Sequence, residues 1–216
     1  MAEKVKSWIL TDTGKGIWRE TLDLRGTRIT NGGLKYLKGL EQLHTLDLGG
    51  TSVTDAGLEH LEGLLQLQTL SLWRTKVTDA GLDYIKALTH LQTLQLGGTA
   101  VADDGLKHLS GLAHLHSLRL RETKVTAAGL VHLKGLVQLQ TLILGGTLIT
   151  DAGLEHIKGT SDLQELVLSS TPVTDAGLKH LKGLPRLRWL VLYNTKVTDA
   201  GVAELQTALP KVHISR

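Results

Sequence analysis

Cysteine is absent from this 216-residue chain, which excludes disulfides, thiolate metal sites and cysteine nucleophiles. Phenylalanine is also absent and aromatic residues make up only 3% of the sequence, so a hydrophobic core must be built mainly from leucine. Proline occurs three times against 24 glycines, and the first ten residues contain no apolar run typical of a signal peptide or membrane span. We therefore expect a cytoplasmic protein, with secretion by a route that needs no signal peptide left open.

A large excess of either charge is also lacking, because 24 lysine and arginine residues stand against 21 aspartate and glutamate residues and the formal net charge is only +3. This excess is too small to indicate nucleic-acid binding by itself. Hydrophobic residues reach 41% and charged residues 21%, which supplies enough apolar material for a core and argues against a disordered chain. From composition we expect a folded protein that binds neither nucleic acid nor membranes.

A 24-residue repeat, present eight times, organises the sequence. In every copy two leucines are separated by one residue, a threonine follows five residues after the first leucine, and a glycine follows six residues later. The first leucines of the copies are Leu22, Leu46, Leu70, Leu94, Leu118, Leu142, Leu166 and Leu190. No linker interrupts the pattern, so we predict one repeat domain over residues 21–206, an amino-terminal cap over 1–20 and a carboxyl-terminal cap over 207–216.

Each repeat divides into a predicted strand and a predicted short helix. The two leucines alternate with other residues at the period of two that is typical of a strand with one buried face. In the second half of the repeat, leucines three residues apart fit the buried side of a helix, whose first turn Asp55 or Thr54 can cap in repeat two. Ala102 and Ala127 interrupt the capping residues of repeats four and five. We therefore predict that the helix starts of these two repeats are the weakest, each less stable by up to ~1 kcal/mol.

The repeat resembles that of the leucine-rich repeat family, whose core pattern is L-x-x-L-x-L-x-x-N/C-x-L. The match is carried by Leu43, Leu46, Leu48, Thr51 and Val53, with threonine where the family usually has asparagine or cysteine. The V-T-D-A-G-L half is most similar to the cysteine-containing subtype of F-box proteins and its bacterial relatives, although we expect no F-box because the region before Leu22 is short. The resemblance implies an α/β fold: a right-handed, horseshoe-shaped solenoid with a parallel inner sheet and short outer helices.

The two ends of such a solenoid need apolar caps, because no repeat can bury its own leucines alone. At the amino end the cap would be a hairpin or a degenerate helical half-repeat containing Trp8, Ile9, Leu10, Ile17 and Trp18. At the carboxyl end it would contain Leu205, Leu209, Val212 and Ile214, with Ile214 in one last strand.

The threonine of each repeat, from Thr27 to Thr195, stands where the family has an asparagine that bonds to backbone groups of the turn. The resemblance therefore implies that these threonine side chains are buried and hydrogen-bonded. We expect their hydroxyls to link one turn to the next.

Histidine suggests a metal-binding or enzymatic alternative. Neighbouring helices of a solenoid lie ~10 Å apart, whereas zinc needs ligand atoms ~2 Å away. Tyrosine replaces histidine at the same position in two repeats and is equally suited to packing, so we predict structural roles, with no metal and no cofactor. The histidines that share this position are His60, His108, His132, His156 and His180, and the pair His114 and His116 is predicted to lie on the surface.

Function should depend on the positions where the repeats differ, since the shared positions specify the fold. Repeats two, four and six have two glycines where repeats three and five have bulky residues. Strands lie ~4.8 Å apart, so Trp73 and Arg121 would stand ~10 Å apart across Gly97 and form a slot with an aromatic wall, a cationic wall and an open floor. The candidate binding residues at this slot are Trp73, Arg74, Gln95, Arg119, Arg121 and Glu122.

A second candidate surface lies near the carboxyl end. Aliphatic and aromatic residues converge there on the predicted exposed side of the sheet, namely Ile143, Val167, Trp189, Val191 and Tyr193. Exposed groups of this kind mark contact surfaces, and part of this group can also serve as an end cap.

These patterns favour a non-catalytic module that binds a protein or peptide through the concave face, as a monomer or weak homodimer. The arginines favour a partner with an acidic group beside an apolar one, unless Glu122 already neutralises Arg74 or Arg121. Two alternatives stay open: a metal-binding or enzymatic protein that uses the histidines, and an engineered or regular repeat scaffold without a dedicated partner.

Overall fold

The structure, a computed structural model, describes residues 20–216 and contains one nine-stranded sheet in that part of the chain. The strands pair in chain order, every pair is parallel, and each residue faces the one 24 positions later, from Leu22 with Leu46 to Leu190 with Ile214. The predicted parallel solenoid is therefore confirmed, as is the last strand at Ile214. The strands are β1 (Thr21–Asp23), β2 (Thr45–Asp47), β3 (Thr69–Ser71), β4 (Thr93–Gln95), β5 (Ser117–Arg119), β6 (Thr141–Ile143), β7 (Glu165–Val167), β8 (Trp189–Val191) and β9 (His213–Ser215).

Short helical segments connect the strands. A turn of 3-10 helix follows each of the first four α-helices, and the helical segment of repeat five, Gly129–Leu133, is 3-10 throughout. Among residues 20–216, none of the helices has the length and apolar character needed to cross a membrane. The α-helices are Asn31–Leu34, Asp55–Leu58, Asp79–Leu82, Asp103–Leu106, Asp151–His156, Asp175–Leu181 and Asp199–Ala208.

Leucine builds a continuous core between the sheet and the helical segments. In repeat four the strand residue Leu94, the following Leu96 and the helical Leu106 are all completely buried. Because side chains alternate along a strand, the residues on either side of Leu94 point to the opposite face of the sheet. Stacking of successive repeats therefore buries one face and leaves the other for the residues that vary.

An aspartate at the first helical residue ties most repeats to the next one. Asp103 accepts the backbone N–H of Thr126 at 2.7 Å and its hydroxyl at 2.6 Å. We call this pair of bonds the aspartate bracket. It recurs from Asp55 to Thr78, Asp151 to Thr174 and Asp175 to Thr198. Asn31 forms two equivalent bonds to the N–H and hydroxyl of Thr54, and Asp79 accepts only the backbone N–H of Ala102.

The predicted side-chain caps in repeat two are wrong, because the side chains of Asp55 and Thr54 accept no N–H of their own helix and the carboxylate of Asp55 bonds to the next repeat. In the last bracket, the hydroxyl and N–H of Thr198 hold the pKa of the Asp175 carboxyl below its ordinary value. This bracket therefore contributes stability above the ordinary aspartate pKa and loses it as the pH falls through the lowered value.

One bracket is missing, between repeats five and six. Ala127 stands where the neighbouring repeats have aspartate, and within residues 20–216 no side chain bonds to the N–H or hydroxyl of Thr150. Repeat five is also the one described repeat without an α-helical turn, which agrees with the weak helix start predicted there. Repeat four keeps its α-helical turn, since Ala102 still donates its N–H to Asp79.

The threonine after each strand bonds within its own turn. Its hydroxyl donates to the carbonyl oxygen three residues earlier at 2.6–2.8 Å in all eight repeats. Burial and hydrogen bonding are confirmed for the six interior side chains, whereas Thr27 is exposed and Thr195 half-buried. The expected link between successive turns is wrong, because donor and acceptor belong to one turn. The six buried side chains are Thr51, Thr75, Thr99, Thr123, Thr147 and Thr171.

Thr123→Val is expected to lower the free energy of unfolding by ~1–3 kcal/mol, because valine keeps the shape but removes the donor that bonds to the carbonyl of Leu120. Urea denaturation followed by circular dichroism would measure the change. Thr27→Val is the matched control, and it should cost less because Thr27 is exposed. An unchanged urea midpoint for Thr123→Val would contradict the structural role of this hydroxyl.

The carboxyl-terminal end is closed by the helix Asp199–Ala208, which runs two residues past the boundary predicted at 206, and by β9. Leu205 and Val212 are buried, and Leu209 and Ile214 pack partly buried against the core. These four are the residues predicted for this cap. The residues predicted for the amino-terminal cap, Trp8, Ile9, Leu10, Ile17 and Trp18, lie outside the described residues.

Candidate functional site

The exposed face of the sheet brings the variable residues together. In repeat four, Thr93 and Gln95 flank the buried Leu94, and Gly97 follows two residues further on the same side. The same three positions in repeats three, five and eight hold Trp73, Arg119, Arg121, Trp189, Val191 and Tyr193. Arg74 and Glu122 lie in the turns immediately after. All predicted binding residues therefore lie on this face or at its edge.

The amino-terminal end of the face is acidic but partly neutralised. Arg25 forms an ion pair with Asp23 at 2.6 Å and lies 3.4 Å from Asp47. The hydrogen bond from Arg25 holds the pKa of the Asp23 carboxyl below its usual value, and Asp23 in turn raises the pKa of the guanidinium. The charged groups at this end of the face therefore already have partners within the chain.

Trp73 covers the slot predicted at Gly97. A Cβ atom added to Gly97 would lie 3.1 Å from Cδ1 and 3.6 Å from Nε1 of Trp73, so the indole ring rests on the glycine backbone. Arg74 lies over Gly98 in the same way, with its Cγ 2.9 Å from the position of an added Cβ. The open floor predicted between Trp73 and Arg121 is therefore wrong, because the ring folds onto the bare glycine and buries apolar area there.

Trp73 and Arg74 form a stacked pair. The guanidinium carbon of Arg74 lies 4.4 Å from the centroid of the indole, within the range of a cation–π contact. Trp73 nevertheless keeps 43% of its surface exposed. Repeat three therefore presents a flat surface with one aromatic and one cationic group, which we call the Trp73–Arg74 plate.

Arg74 and Glu122 occupy a left-handed backbone position, with φ of 52° and 56°. Repeats one, two, four and six have glycine at this position, and repeats seven and eight have Ser170 and Asn194. A large side chain in this conformation costs of order 1 kcal/mol or more. Such strain is typical of functional positions, so the backbone itself marks these two side chains as candidates.

Arg74→Gly is expected to leave the protein as stable as before or more stable by up to ~1 kcal/mol, because relief of the strained backbone offsets or exceeds the entropy that glycine adds to the unfolded chain. Gly26→Ala is the reciprocal control. Its Cβ would meet no atom within 4 Å, so the substitution tests the backbone strain alone and should lower stability by ~1 kcal/mol. Thermal unfolding would measure both; a clear loss of stability in Arg74→Gly would show that the plate holds the fold together.

Repeat five contributes two arginines, of which one is already paired. Arg121 Nε donates to Oε1 of Glu122 at 3.0 Å, which confirms that Glu122 neutralises this arginine. Both side chains are exposed, so the pair is worth only ~0–1 kcal/mol. Arg119 forms no ion pair within residues 20–216, and its strand neighbour Gln95 is neutral. Of the two arginines that repeat five places on this face, Arg119 is therefore the one without an ion pair in the described part of the chain.

An apolar row crosses repeats six to eight. Ile143 pairs in register with Val167, and Val167 with Val191, and all three are half-buried. Trp189 and Tyr193 flank Val191 on the same face, with 51% and 53% of their surfaces exposed. The structure thus brings together the predicted carboxyl-terminal contact residues, and we keep the name apolar row for these five.

Glu165 is a residue of this face that was not predicted from the sequence. This residue lies on the exposed face beside the apolar row, in register with Thr141 and Trp189, and its carboxylate accepts the hydroxyl of Thr141 at 3.3 Å. The signal was present, because the residue before the first leucine is threonine or serine in the first six repeats and changes only here and at Trp189.

The histidine row lies half-buried along the helical side. His108 Nδ1 is 3.1 Å from a carboxylate oxygen of Asp83, and Tyr36 and Tyr84 pack against the core at the equivalent position. Over residues 20–216 there is no group of three or more histidine, aspartate or glutamate side chains placed to hold a metal ion. The other members of this row are His60, His132, His156 and His180.

Comparisons with known proteins agree with the repeat pattern. The family described as Leucine Rich repeat matches residues 20–38 and 87–110. A comparison with curated protein sequences finds no match. Among solved structures, the chain is similar to internalin C2 from Listeria monocytogenes, with 26% identity and a TM-score of 0.67 over 86% of this chain and 76% of that one.

Two plant receptors share the fold at lower identity. The ectodomain of the membrane receptor kinase GASSHO1/SCHENGEN3 from Arabidopsis thaliana, in complex with Casparian strip integrity factor 2, is 18% identical with a TM-score of 0.62, over 90% of this chain and 23% of that one. The plant peptide hormone receptor RGFR1, in complex with RGF2, is 17% identical with a TM-score of 0.57, over 92% of this chain and 37% of that one.

The cysteine-containing F-box subtype finds no support in these comparisons, and the chain has threonine at the relevant position and no cysteine anywhere. The 24-residue repeat, the parallel sheet with short helices and the likeness to internalin C2 all lead to one assignment. The chain folds as a leucine-rich repeat solenoid.

Proposed function

We propose that this chain is a non-catalytic module that binds a protein or peptide through the exposed face of its sheet, from the Trp73–Arg74 plate to the apolar row. One observation carries the proposal: Trp73, Trp189 and Tyr193 each expose about half of their surface on this one face of a chain that has few aromatic residues. Exposed tryptophan, tyrosine and arginine side chains dominate the energetics of protein interfaces, because they bury large areas and carry polar ends.

The partner would present acidic and apolar groups, to match Arg74, Arg119 and the apolar row. Steering by the arginines should make association faster at low ionic strength. The wider hypothesis includes a cytoplasmic setting, a monomer or weak homodimer, and no nucleic-acid or membrane ligand. The irregular residues on the exposed face favour a dedicated partner over a regular scaffold without one.

The fold is compatible with this role. Two of the solved structures that share the fold are plant receptors in complex with named ligands, one of them a peptide hormone receptor. At their level of identity these neighbours support the suitability of the architecture for such binding and say nothing about the ligand of this chain.

A peptide selection tests the proposal. Random 12-residue peptides displayed on phage would be selected on the folded protein, and the enriched peptides synthesised and their affinities measured. We expect Trp73→Ala, or the pair Trp189→Ala and Tyr193→Ala, to weaken binding by about tenfold or more, as removal of interface hot spots does.

The matched control is the pair Leu65→Ala and Val137→Ala. These side chains are 49% and 52% exposed, close to the values for Trp189 and Tyr193, but they lie on the connections that lead into the strands. If the selected peptides bind all exposed-face variants normally and lose affinity for this control, the proposed binding face is wrong.

A further inference from the structure

The boundary between repeats five and six joins a cation to an apolar surface. We propose that the preferred ligand is an extended peptide segment in which a carboxylate side chain lies two residues from leucine, isoleucine or valine. This inference rests on the proposed function. Arg119 would hold the carboxylate, and the apolar row would receive the aliphatic side chain.

Arg119 is the cation best placed for this role. Arg121 already donates to Glu122, and the guanidinium of Arg74 is stacked on Trp73. Arg119 is exposed, forms no ion pair within residues 20–216, and has neutral Gln95 and apolar Ile143 as its strand neighbours. Its guanidinium fork is therefore available to a carboxylate, which it can bind through two parallel hydrogen bonds.

The distance between strands determines which separation of ligand side chains fits this face. Arg119 is in register with Ile143, one strand away at ~4.8 Å, and Val167 lies one strand further at ~9.6 Å. In an extended peptide, side chains two residues apart point the same way and are ~6.8 Å apart. In a peptide that runs across the strands, a carboxylate over Arg119 would therefore place the aliphatic side chain two residues away between Ile143 and Val167.

Glu165 fixes the order of the two groups along the solenoid. It lies two residues before Val167 on the same face, so a ligand carboxylate over repeat seven would face a like charge. In the opposite order, an aliphatic ligand group would cover Arg119 and leave its charge without a partner. The acidic group is therefore placed at repeat five and the aliphatic group at repeats six to eight.

The test uses the peptides from the phage selection. We expect enriched sequences to share aspartate or glutamate two positions from leucine, isoleucine or valine. Replacing that acidic residue by its amide should weaken binding to the wild-type protein by about tenfold and weaken binding to Arg119→Ala by less than about twofold, because the two groups act on each other.

Two further variants test whether the acidic group depends on Arg119 in particular and the aliphatic group on the apolar row. Arg28→Ala removes an exposed arginine in the turn of repeat one and should leave the effect of the amide substitution unchanged. Val167→Thr keeps the branched shape in β7 but replaces one methyl group with a hydroxyl, and it should weaken binding several-fold for peptides with the aliphatic residue.

The outcomes separate the two proposals. If peptides depend on Trp189 and Tyr193 but lack the acidic–aliphatic pair, or keep their preference for acid in Arg119→Ala, the ligand assignment is wrong while the binding face stands. If no enriched peptide depends on any exposed-face residue, both proposals are wrong.

Discussion

Asp103→Ala is expected to lower the free energy of unfolding by about 3 kcal/mol. The substitution removes both bonds of the aspartate bracket to Thr126 and leaves the half-buried N–H of that residue without its acceptor. A hydrogen bond to a charged group is worth ~1.5–3 kcal/mol, and the two bonds share one carboxylate, so their losses do not simply add. Urea denaturation followed by circular dichroism would measure the change.

The neighbouring Asp104 supplies the control. Its side chain is 83% exposed and lies 3.5 Å from Lys107, a surface pair worth ~0–1 kcal/mol. Asp104→Ala should therefore have little effect on the urea midpoint. Equal losses in the two variants would show that net charge, and not the bracket, accounts for the effect.

The converse substitution completes this prediction. Ala127→Asp would supply the missing bracket between repeats five and six, where Thr150 is the residue equivalent to Thr126. We expect the free energy of unfolding to rise by ~1–2 kcal/mol. Ala128→Asp adds the same charge one residue later and should give no such gain.

Gly105→Ala is expected to destabilise the protein by about 3 kcal/mol, although alanine is the better helix former. The new Cβ would lie 2.5 Å from Oδ1 of Asp79, the oxygen that accepts the N–H of Ala102 at 2.7 Å. The aspartate must move and its bond is lost, which adds the cost of overpacking to that of the hydrogen bond. Where the preceding repeat supplies such an aspartate, the glycine of the helix is thus required to leave room for its carboxylate.

Gly153→Ala is the matched comparison, because its preceding repeat lacks the aspartate. The nearest atom to an added Cβ is the Cα of Ala127 at 3.1 Å, so a small adjustment suffices and the helix gains a better residue. We expect a change within ~1 kcal/mol of zero. If Gly153→Ala proves as damaging as Gly105→Ala, the explanation from the bracket is wrong.

The sequence predicts the frame of this protein because the frame repeats. A leucine at a strict 24-residue spacing predicts both the parallel pairing and its register, and it places even Ile214 opposite Leu190. Burial of the interior threonines follows from the family resemblance. Because eight copies repeat one pattern, only one strand pairing and register fits all of them.

Side-chain direction is harder to predict. Nothing in the sequence distinguishes an aspartate that caps its own helix from Asp103, which bonds to the next repeat, since both fit the same helix start. The slot at Gly97 failed for a related reason, because strand spacing places Trp73 but does not show that its ring folds onto the neighbouring glycine. Both outcomes depend on contacts between repeats, which a one-repeat pattern does not contain.

The central claim is that the exposed face of the sheet is the binding surface, and nuclear magnetic resonance tests it most directly. Backbone amide shifts of the isotope-labelled protein would be followed while a selected acidic–aliphatic peptide is added. We expect the shift changes to be concentrated from Arg119 through Val167 to Trp189 and Tyr193. Shifts confined to the helical side, for example within Asp151–His156, would contradict it.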